Sequence, residues 1–487
     1  MSKMFYQPDD AWVGDLIPYY EDGTYYAFYL HDPRCYPNQY AEKTTWYLVT
    51  TKDFKELKIH GEAIARGGDD RPNKNAYTGS VIRDRDGLYH VFYTAFNADI
   101  QINGKSVQSV MQATGKDLYH LNTIEDWIFT ADGTRYEEFD WRDPYVFLDP
   151  TDGRYKMLLA ARKAGSGALR GGCIALCSSD DLIHWDYEDP FYEPERYVTM
   201  ECPEVFQMGD WYYLAFSTFS DRFTTHYRKS RSLQGPWEIP EDDVYDTRAN
   251  YAIKTAGFGR ERYAFGWIAS KKGNCDDGPW EWGGTMDFMK IVQDEQNGEL
   301  HAIPTEGNQA FFNKEMPSPK PVNFHASLSS INENGGVQIS PDGAELGAAL
   351  FPLPDEDFEA DFDVRAETLQ EFGVLLHTSA DLENGYFLRF YPKLNRVAWD
   401  RWPRTNAPGI YQWQINGDVP YAIETERYLP KTEEYRIRIM KEESICVVYI
   451  NDRIALSTRQ YDHTGGMTGI YITSDAVTLE RFSLRTR

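Results

Sequence analysis

The chain of 487 residues is long enough for two domains with large cores. Its formal net charge of −26 argues against nucleic-acid and anionic-membrane partners, because phosphate groups require a concentrated basic face. The sequence has no uninterrupted apolar run of about 18 residues, so we predict no membrane-spanning segment.

The first residues and the cysteines both indicate a reducing compartment. The segment MSKMFYQPDDAW lacks the apolar core of a secretory signal. The six cysteines are scattered through the chain, and none is arranged as a CxxC pair. We therefore expect reduced thiols in the cytoplasm, and neither a disulfide framework nor a zinc site.

One short pattern recurs five times before residue 310: a polar turn, an aromatic residue and an apolar strand. The copies are DGTYYAFYL (22–30), DGLYHVFYT (86–94), DGRYKMLLA (152–160), GDWYYLAFS (209–217) and RERYAFGWI (260–268). Asp-Gly before a hydrophobic run is a hairpin signal, and a period of roughly 50–65 residues suits a four-stranded blade. The sequence therefore predicts a five-bladed β-propeller over residues 1–313.

The pattern changes after the proline-rich segment KEMPSPKPVNF (314–324). Later segments such as FEADFDVRA, GYFLRFYP and ICVVYINDRIAL read as strands without the Asp-Gly period. Such strands are typical of two antiparallel sheets packed face to face. We predict an all-β chain in which residues 314–324 are a linker and residues 325–487 form an antiparallel β-sandwich.

Three acidic residues lie in the strands that precede the repeated turns. They are Asp15 in the first unit, Asp143 in the third and Glu201 in the fourth. Because the innermost strand of each blade lines the channel of a propeller, we expect these acids to share one repeat position and to converge. Cleavage of a glycosidic bond requires one ionised and one protonated carboxyl group. A calcium site would require a compact oxygen-rich loop, which is not visible, so the pattern favours a glycosidase.

Several motifs in the chain resemble glycoside hydrolase family 32, the β-fructofuranosidases. They are RDP (142–144), SSDDLIHW (178–185), ECP (201–203), FGWIA around Trp267, WGGTM (282–286) and, in the second region, GVLLHTS. The resemblance covers nearly the whole chain, including the order of propeller and sandwich.

The resemblance also implies an activity and roles for the acids. It implies retaining hydrolysis of β-fructofuranosidic bonds in sucrose or short fructans, without a cofactor. Asp15 would be the nucleophile, Glu201 the acid/base, and Asp143 the residue that binds sugar hydroxyls and stabilises the transition state. Arg142 would bind substrate or tune Glu201.

Further candidates for sugar contact are aromatic and polar side chains, because aromatic rings stack on sugar rings. They are Trp12, His31, Trp46, Ser80, Trp267, Trp280 and Trp282. Each tryptophan could instead belong to the core, and Trp280 and Trp282 lie in the most loop-like segment.

Two neighbours of Glu201 are weaker candidates. Glu204 is a rival acid, but it alternates out of phase with Glu201 on a regular strand. Cys202 has no histidine at a local spacing, so we predict a buried, unreactive thiol.

The first motif departs from the family pattern. Where the family usually has Trp-x-Asn-Asp-Pro-Asn-Gly, this chain reads WVGDLIP, with Gly14 before Asp15. Leu30 and His31 stand where the family often has a glutamine. The departures leave three alternatives open: an arabinofuranosidase, a fructosyltransferase and a carbohydrate-binding protein without activity.

Overall fold

The computed structural model describes residues 3–34, 42–317, 320–331, 336–344, 346–368, 370–403 and 427–487. Within these ranges the regular elements are β-strands, apart from a four-residue helix, α1 (Glu306–Gln309), and a 3-10 turn (Pro392–Leu394). All strand pairs are antiparallel, which agrees with the predicted all-β character. The described part of the chain has no helix with the length and hydropathy needed to cross a membrane.

Residues before 305 form five successive groups of strands. The first group is β1 (Trp12–Glu21), β2 (Thr24–Asp32), β3 (Thr45–Thr51) and β4 (Lys58–Ile64), and the second is β5 (Asn75–Arg83), β6 (Tyr89–Ile102), β7 (Lys105–Gly115) and β8 (Asn122–Phe129). The third is β9 (Tyr136–Leu148), β10 (Tyr155–Lys163), β11 (Gly172–Ser179) and β12 (Asp186–Tyr187), and the fourth is β13 (Glu201–Met208), β14 (Trp211–Thr218) and β15 (Thr224–Ser230). The fifth is β16 (Asn250–Phe258), β17 (Glu261–Lys271), β18 (Trp280–Gln293) and β19 (Leu300–Pro304).

The five groups are connected through their first strands. Contacts run from β1 to β5, β9, β13 and β16 in that order, and from β16 back to β1. The strand β1 also pairs with β18 through Val13 and Gly284, so the first and fifth groups share one sheet. The order of contacts is therefore cyclic.

Each of these five first strands contains a β-bulge of the same form, in which two residues lie opposite one residue of the partner strand. The bulged pairs are Gly14 and Asp15, Tyr77 and Thr78, Asp143 and Pro144, Cys202 and Pro203, and Ala252 and Ile253. A bulge leaves the ladder locally incomplete, which explains why prolines are tolerated here. In three strands the first bulge residue has a positive φ: 56° at Asp143, 49° at Cys202 and 52° at Ala252.

The second region contains two sheets that share one hydrophobic core. One sheet contains β20 (Lys314–Glu315), β22 (Ala326–Ser330), β23 (Val337–Pro341), β25 (Phe358–Arg365), β30 (Glu434–Glu442), β31 (Ile445–Ile450), β32 (Ile454–Arg459) and β34 (Val477–Thr486). The other contains β21 (Val322–Phe324), β24 (Gly347–Pro352), β26 (Phe372–Thr378), β27 (Gly385–Tyr391), β28 (Arg396–Trp402), β29 (Arg427–Tyr428) and β33 (Met467–Ile472). Phe362 of the first sheet and Trp399 of the second are both fully buried in the shared core.

The two regions pack against each other through apolar and polar contacts. Met289 and Ile291 of β18 belong to the same buried cluster as Val447 and Tyr449 of β31. Arg459, at the end of β32, donates to the backbone carbonyl groups of Ile268 and Ala269 in β17. The second region therefore supports β17 and β18, two strands of the fifth group.

A buried aspartate also ties the loop between β17 and β18 to the second region. Asp276 is 3% exposed and accepts hydrogen bonds from the hydroxyl of Tyr386 at 2.7 Å and the backbone N–H of Tyr461 at 2.9 Å. Its carboxylate lies 3.5 Å from Nη1 of Arg401, whose Nη2 donates to Asp277 at 3.1 Å. These contacts hold the segment from which β18 begins at Trp280.

We expect Arg401→Ala to lower the free energy of unfolding by about 3 kcal/mol, because it removes the guanidinium that pairs with the buried Asp276 and with Asp277 and Asp462. Urea unfolding measures this change. The matched control is Arg436→Ala, since Arg436 pairs with Asp452 on the surface and we expect a loss below about 0.5 kcal/mol. Equal losses in the two variants would contradict the interpretation of Asp276 as an anchor.

Candidate active site

A cavity of about 500 Å³ is lined by the bulged segments of the first strands. Asp15, Asp143 and Glu201 all line it, together with Arg142 and Tyr251. Its walls are aromatic, formed by Tyr77, Phe219, Phe223, Trp267, Trp280 and Trp282. The cavity thus brings the three predicted carboxylates together beside rings that can stack on a sugar.

Asp15 is held by hydrogen-bond donors on both of its carboxylate oxygens. Trp267 Nε1 donates to Oδ1 at 2.9 Å, and the hydroxyl of Thr78 donates to Oδ2 at 2.5 Å. Burial, followed by the charge of Asp143, raises the pKa of Asp15 to about 6. The carboxylate is therefore ionised above pH 6, with a fixed orientation and no ion-pair partner among these donors.

Asp143 is anchored by its own bulge. Its backbone N–H donates to the hydroxyl of Thr94 at 2.8 Å, and its Oδ2 accepts from the backbone N–H of Cys202 at 2.9 Å. Asp143 is 5% exposed, and Arg142 Nε lies 4.0 Å from its Oδ2. These hydrogen bonds hold the bulge in which Asp143 has a positive φ, and they fix its carboxylate against β13, the next bulged strand.

Glu201 is held by two side chains from neighbouring first strands. Arg142 Nη2 donates to Oε1 at 3.0 Å, and the hydroxyl of Tyr251 donates to Oε2 at 2.7 Å. Burial, followed by the charge of Glu201, raises the pKa of Tyr251 well above its usual range, so this hydroxyl keeps its proton. Asp15 and Glu201 therefore have different environments within one cavity.

The acids converge, but they do not share one repeat position as the sequence analysis expected. Asp143 is the first bulge residue of β9, and Asp15 is the second bulge residue of β1. Glu201 precedes the bulge of β13, at the position that Arg142 and Tyr251 occupy in β9 and β16. The register of the bulges, which the repeat spacing does not reveal, decides which residue points to the cavity.

Several predicted sugar contacts lie elsewhere in the described structure. Trp12 stacks against the guanidinium of Arg34, with 4.1 Å between the charge centre and the ring centroid, and it is not among the residues that line the cavity. His31 stacks on Tyr47 with 3.9 Å between centroids, also away from the cavity lining. Neither position places the side chain where the sequence analysis expected it.

Two more candidates are structural. Trp46 is fully buried and donates to the carbonyl of Tyr77 at 2.9 Å, so it supports the bulge of β5 from behind. Ser80 accepts from the backbone N–H of Val146 at 2.9 Å and lines a separate cavity of about 200 Å³. The predictions that they touch substrate are not supported, because both lie outside the lining of the larger cavity.

Glu204 lies outside the larger cavity and Cys202 is buried, as the sequence analysis expected, but the expected reason for Glu204 is wrong. Across the bulge Glu201 pairs with Ser217 and Glu204 with Ala215, so the two acids do not alternate between faces of the sheet. Glu204 is 1% exposed, accepts from the backbone N–H and the hydroxyl of Thr255, and lines the smaller cavity. Cys202 is 2% exposed, and burial raises the pKa of its thiol well above the usual range. A neutral buried thiol is a poor nucleophile.

Sequence reasoning missed several residues of the cavity. They are Tyr77, Thr78, Gln108, Phe219, Phe223, Arg248, Tyr251 and Glu281. Tyr77, Thr78 and Tyr251 lie at or beside the bulges of β5 and β16, so a bulge-aware alignment of the repeats would have found them. Phe219, Phe223 and Arg248 lie in connections outside the repeat. Within the described ranges, no group of three or more His, Cys, Asp or Glu side chains is arranged to bind a metal ion.

Two family models match this chain. Glycosyl hydrolases family 32 N-terminal domain matches residues 5–304, and Glycosyl hydrolases family 32 C terminal matches residues 325–486. The chain belongs to glycosyl hydrolase family 32. It is therefore a glycoside hydrolase, and the family predicted from its motifs is confirmed.

Relatives and solved structures agree with this membership. The chain is 24% identical to a raffinose invertase and 25% identical to a sucrose-6-phosphate hydrolase, both of Escherichia coli. Each alignment covers 93% of this chain and 88% of the relative. The crystal structure of fructan 1-exohydrolase IIa from Cichorium intybus shares the fold, with a TM-score of 0.70, 15% identity, and coverage of 99% of this chain and 96% of that one.

We expect the acid limb of the pH profile of kcat/KM to follow Asp15, with activity falling below about pH 6 as this carboxylate is protonated. The hydrogen bond from Thr78 lowers the pKa of Asp15, so Thr78→Val should move that limb upward by about half to one pH unit.

The control for this prediction is Thr134→Val, which removes a threonine–aspartate hydrogen bond to Asp132 at the surface. That variant should leave the limb in place. A limb that stays fixed in Thr78→Val would mean that another group governs the acid side of the profile.

Proposed function

We propose that this protein is a retaining β-fructofuranosidase that releases fructose from sucrose or short fructo-oligosaccharides. The observation that carries the proposal is that Asp15 and Glu201 line one cavity in different hydrogen-bonding environments. Retaining glycosidases require such a pair, one carboxylate to attack and one carboxyl group to transfer protons. The E. coli relatives, a raffinose invertase and a sucrose-6-phosphate hydrolase, support a sucrose-like glycoside as the substrate.

In the proposed first step, Asp15 attacks the anomeric carbon of the fructosyl unit. The bond from that carbon to the leaving oxygen breaks, and Glu201 transfers its proton to this oxygen. In the second step, Glu201 removes a proton from water, which attacks the same carbon and releases Asp15 with retained configuration. Asp143, fixed by Cys202 and Thr94, would accept hydrogen bonds from sugar hydroxyls.

The hydroxyl of Tyr251 can form a hydrogen bond with Glu201, the proposed acid/base, in both of its protonation states. Its hydroxyl donates to Glu201 Oε2 when Glu201 is ionised. When Oε2 carries the proton, the same hydroxyl can turn and accept a hydrogen bond, since a hydroxyl is both donor and acceptor. Arg142 would hold the other oxygen in place through both steps.

We also propose that the five groups of strands are the blades of a five-bladed β-propeller over residues 1–313, joined by a linker at 314–324 to a β-sandwich over 325–487. The cyclic contacts of the first strands support the propeller, and the shared core of the two later sheets supports the sandwich. The family matches, which end at 304 and begin again at 325, support the boundary.

We also propose a cytoplasmic location for the protein. This is supported by its free thiols, which are those of Cys173, Cys177, Cys202, Cys275 and Cys446.

The decisive test of the function is product analysis with sucrose, raffinose, 1-kestose, inulin and levan, using the wild type and Asp15→Asn. We expect the wild type to release free fructose and the variant to lose at least about a thousandfold in kcat, because its amide cannot form the fructosyl–enzyme. Burial disfavours the charge of Asp15, so Asp15→Asn should unfold at a temperature equal to or above that of the wild type.

The matched control is Glu204→Gln, which alters a buried carboxyl group outside the cavity and should keep kcat within about tenfold of the wild type. New oligosaccharides in place of free fructose would indicate transfer to a sugar. Release of arabinose from arabinofuranosides, with no product from any fructoside, would overturn the proposal in favour of a related furanosidase.

Retention is tested separately by adding methanol to the reaction and recording NMR spectra of the products. A retaining enzyme should form methyl β-D-fructofuranoside, because methanol replaces water in the second displacement. Formation of the α anomer would contradict the assignment of Asp15 as the nucleophile.

A further inference from the structure

Gly14 occupies a position that carries a side chain in the other four first strands. It is the first residue of the bulge in β1, where the corresponding residues are Tyr77, Asp143, Cys202 and Ala252. Three of those four, Tyr77, Asp143 and Cys202, line the larger cavity. Gly14 lies beside Asp15, so a cavity-lining side chain is missing next to the proposed nucleophile.

The indole of Trp282 takes the space that a side chain at position 14 would need. A Cβ atom placed on Gly14 would lie 2.2 Å from Cη2, 2.7 Å from Cζ2 and 3.0 Å from Cζ3 of Trp282. The φ of Gly14 lies outside the left-handed range that favours glycine, in contrast to the φ of 79° at Gly283. Gly14 is therefore required by the ring packed against it and not by its own backbone conformation.

Trp282 is fixed in this place from several sides. Arg34 Nη2 donates to the carbonyl of Trp282 at 2.6 Å, and Gly284, two residues later, pairs with Val13 of β1. The ring centroid of Trp282 lies 5.9 Å from that of Trp267, whose Nε1 donates to Asp15. A shift of the Trp282 indole would therefore disturb the ring that orients Asp15.

We propose that Trp282, packed on Gly14, determines which furanose this enzyme accepts as the unit transferred to Asp15. The inference rests on the proposed function. Because Gly14 adjoins Asp15, the ring borders the sugar that bonds to Asp15 and not the group that leaves. The indole offers this sugar a flat, rigid apolar wall in place of a polar side chain, so selection depends on shape and on contact with C–H groups.

The proposal first predicts that positions 14 and 282 are coupled. In the wild-type background, Gly14→Ala places a methyl group against the indole and should lower kcat/KM for sucrose at least about tenfold, by displacing Trp282 and Trp267. In a Trp282→Ala background the same methyl group meets no ring, so Gly14→Ala should cost less than about twofold. Equal losses in the two backgrounds would overturn the proposed pairing.

The proposal also predicts which part of the substrate the ring selects. p-Nitrophenyl β-D-fructofuranoside and p-nitrophenyl α-L-arabinofuranoside share a leaving group and differ in the transferred sugar. The kcat/KM for the fructofuranoside divided by that for the arabinofuranoside should fall at least about tenfold in Trp282→Ala. This is the range typical for one carbon group in an apolar pocket. The ratio between sucrose and 1-kestose, which share the transferred fructosyl unit, should stay within about threefold.

Three further variants complete the test. Trp282→Phe keeps an aromatic wall and should retain most of the preference. Trp282→Leu keeps an apolar side chain without a flat ring and should lose the preference, so it replaces Trp282→Ala if that variant does not fold. Trp402→Ala removes an exposed indole that is not among the residues lining the cavity, and it should leave both ratios unchanged. A change in the sucrose to 1-kestose ratio alone would show that Trp282 contacts the leaving group, and would overturn the inference. A wild type that releases no fructose from any substrate would instead mean that the proposed function is wrong.

Discussion

The candidate site depends on one backbone feature, a bulge of two residues opposite one, repeated in the first strand of all five groups. A regular strand alternates its side chains between two faces, so it could not present neighbouring residues to one cavity. The bulge breaks the alternation at the same level in each strand and redirects the backbone. Asp15, Thr78, Asp143 and Cys202 all belong to these bulges, and Glu201, Arg142 and Tyr251 directly precede them.

The bulges also arrange the charges of the site. Asp15, Asp143 and Glu201 share one cavity, and bringing buried like charges together is unfavourable unless each is compensated. Glu201 is compensated by Arg142, whereas Asp15 receives neutral donors and has a pKa raised to about 6. The hydrogen bonds that hold each acid come from neighbouring groups of strands, so the cavity exists only when these groups are assembled.

The second region contributes to the site without lining it, within the described residues. It anchors Asp276 through Tyr386, Tyr461 and Arg401, and this loop leads into β18. The same strand begins with Trp280 and Trp282, which form part of the aromatic wall. An element placed more than a hundred residues away in sequence therefore supports the wall of the cavity.

The sequence by itself determined the all-β character and the family, and it singled out the three acids that the cavity brings together. These follow from local signals: Asp-Gly turns, strand patterns and short motifs such as RDP and ECP. Sequence reasoning failed where position depends on register. It expected Ser80, Trp46, His31 and Trp12 in the cavity and missed Thr78 and Tyr251.

Only the tertiary structure decided these placements. A bulge shifts by one residue which side chains of a strand face the cavity, and no fixed spacing in the sequence marks where the bulge lies. It also decided the meaning of Gly14. The sequence shows only that Gly14 stands where the family motif usually has an asparagine. The fold shows that the indole of Trp282, 268 positions later in the chain, packs directly on Gly14. Close packing between distant segments is a property of the assembled core, and no local pattern encodes it.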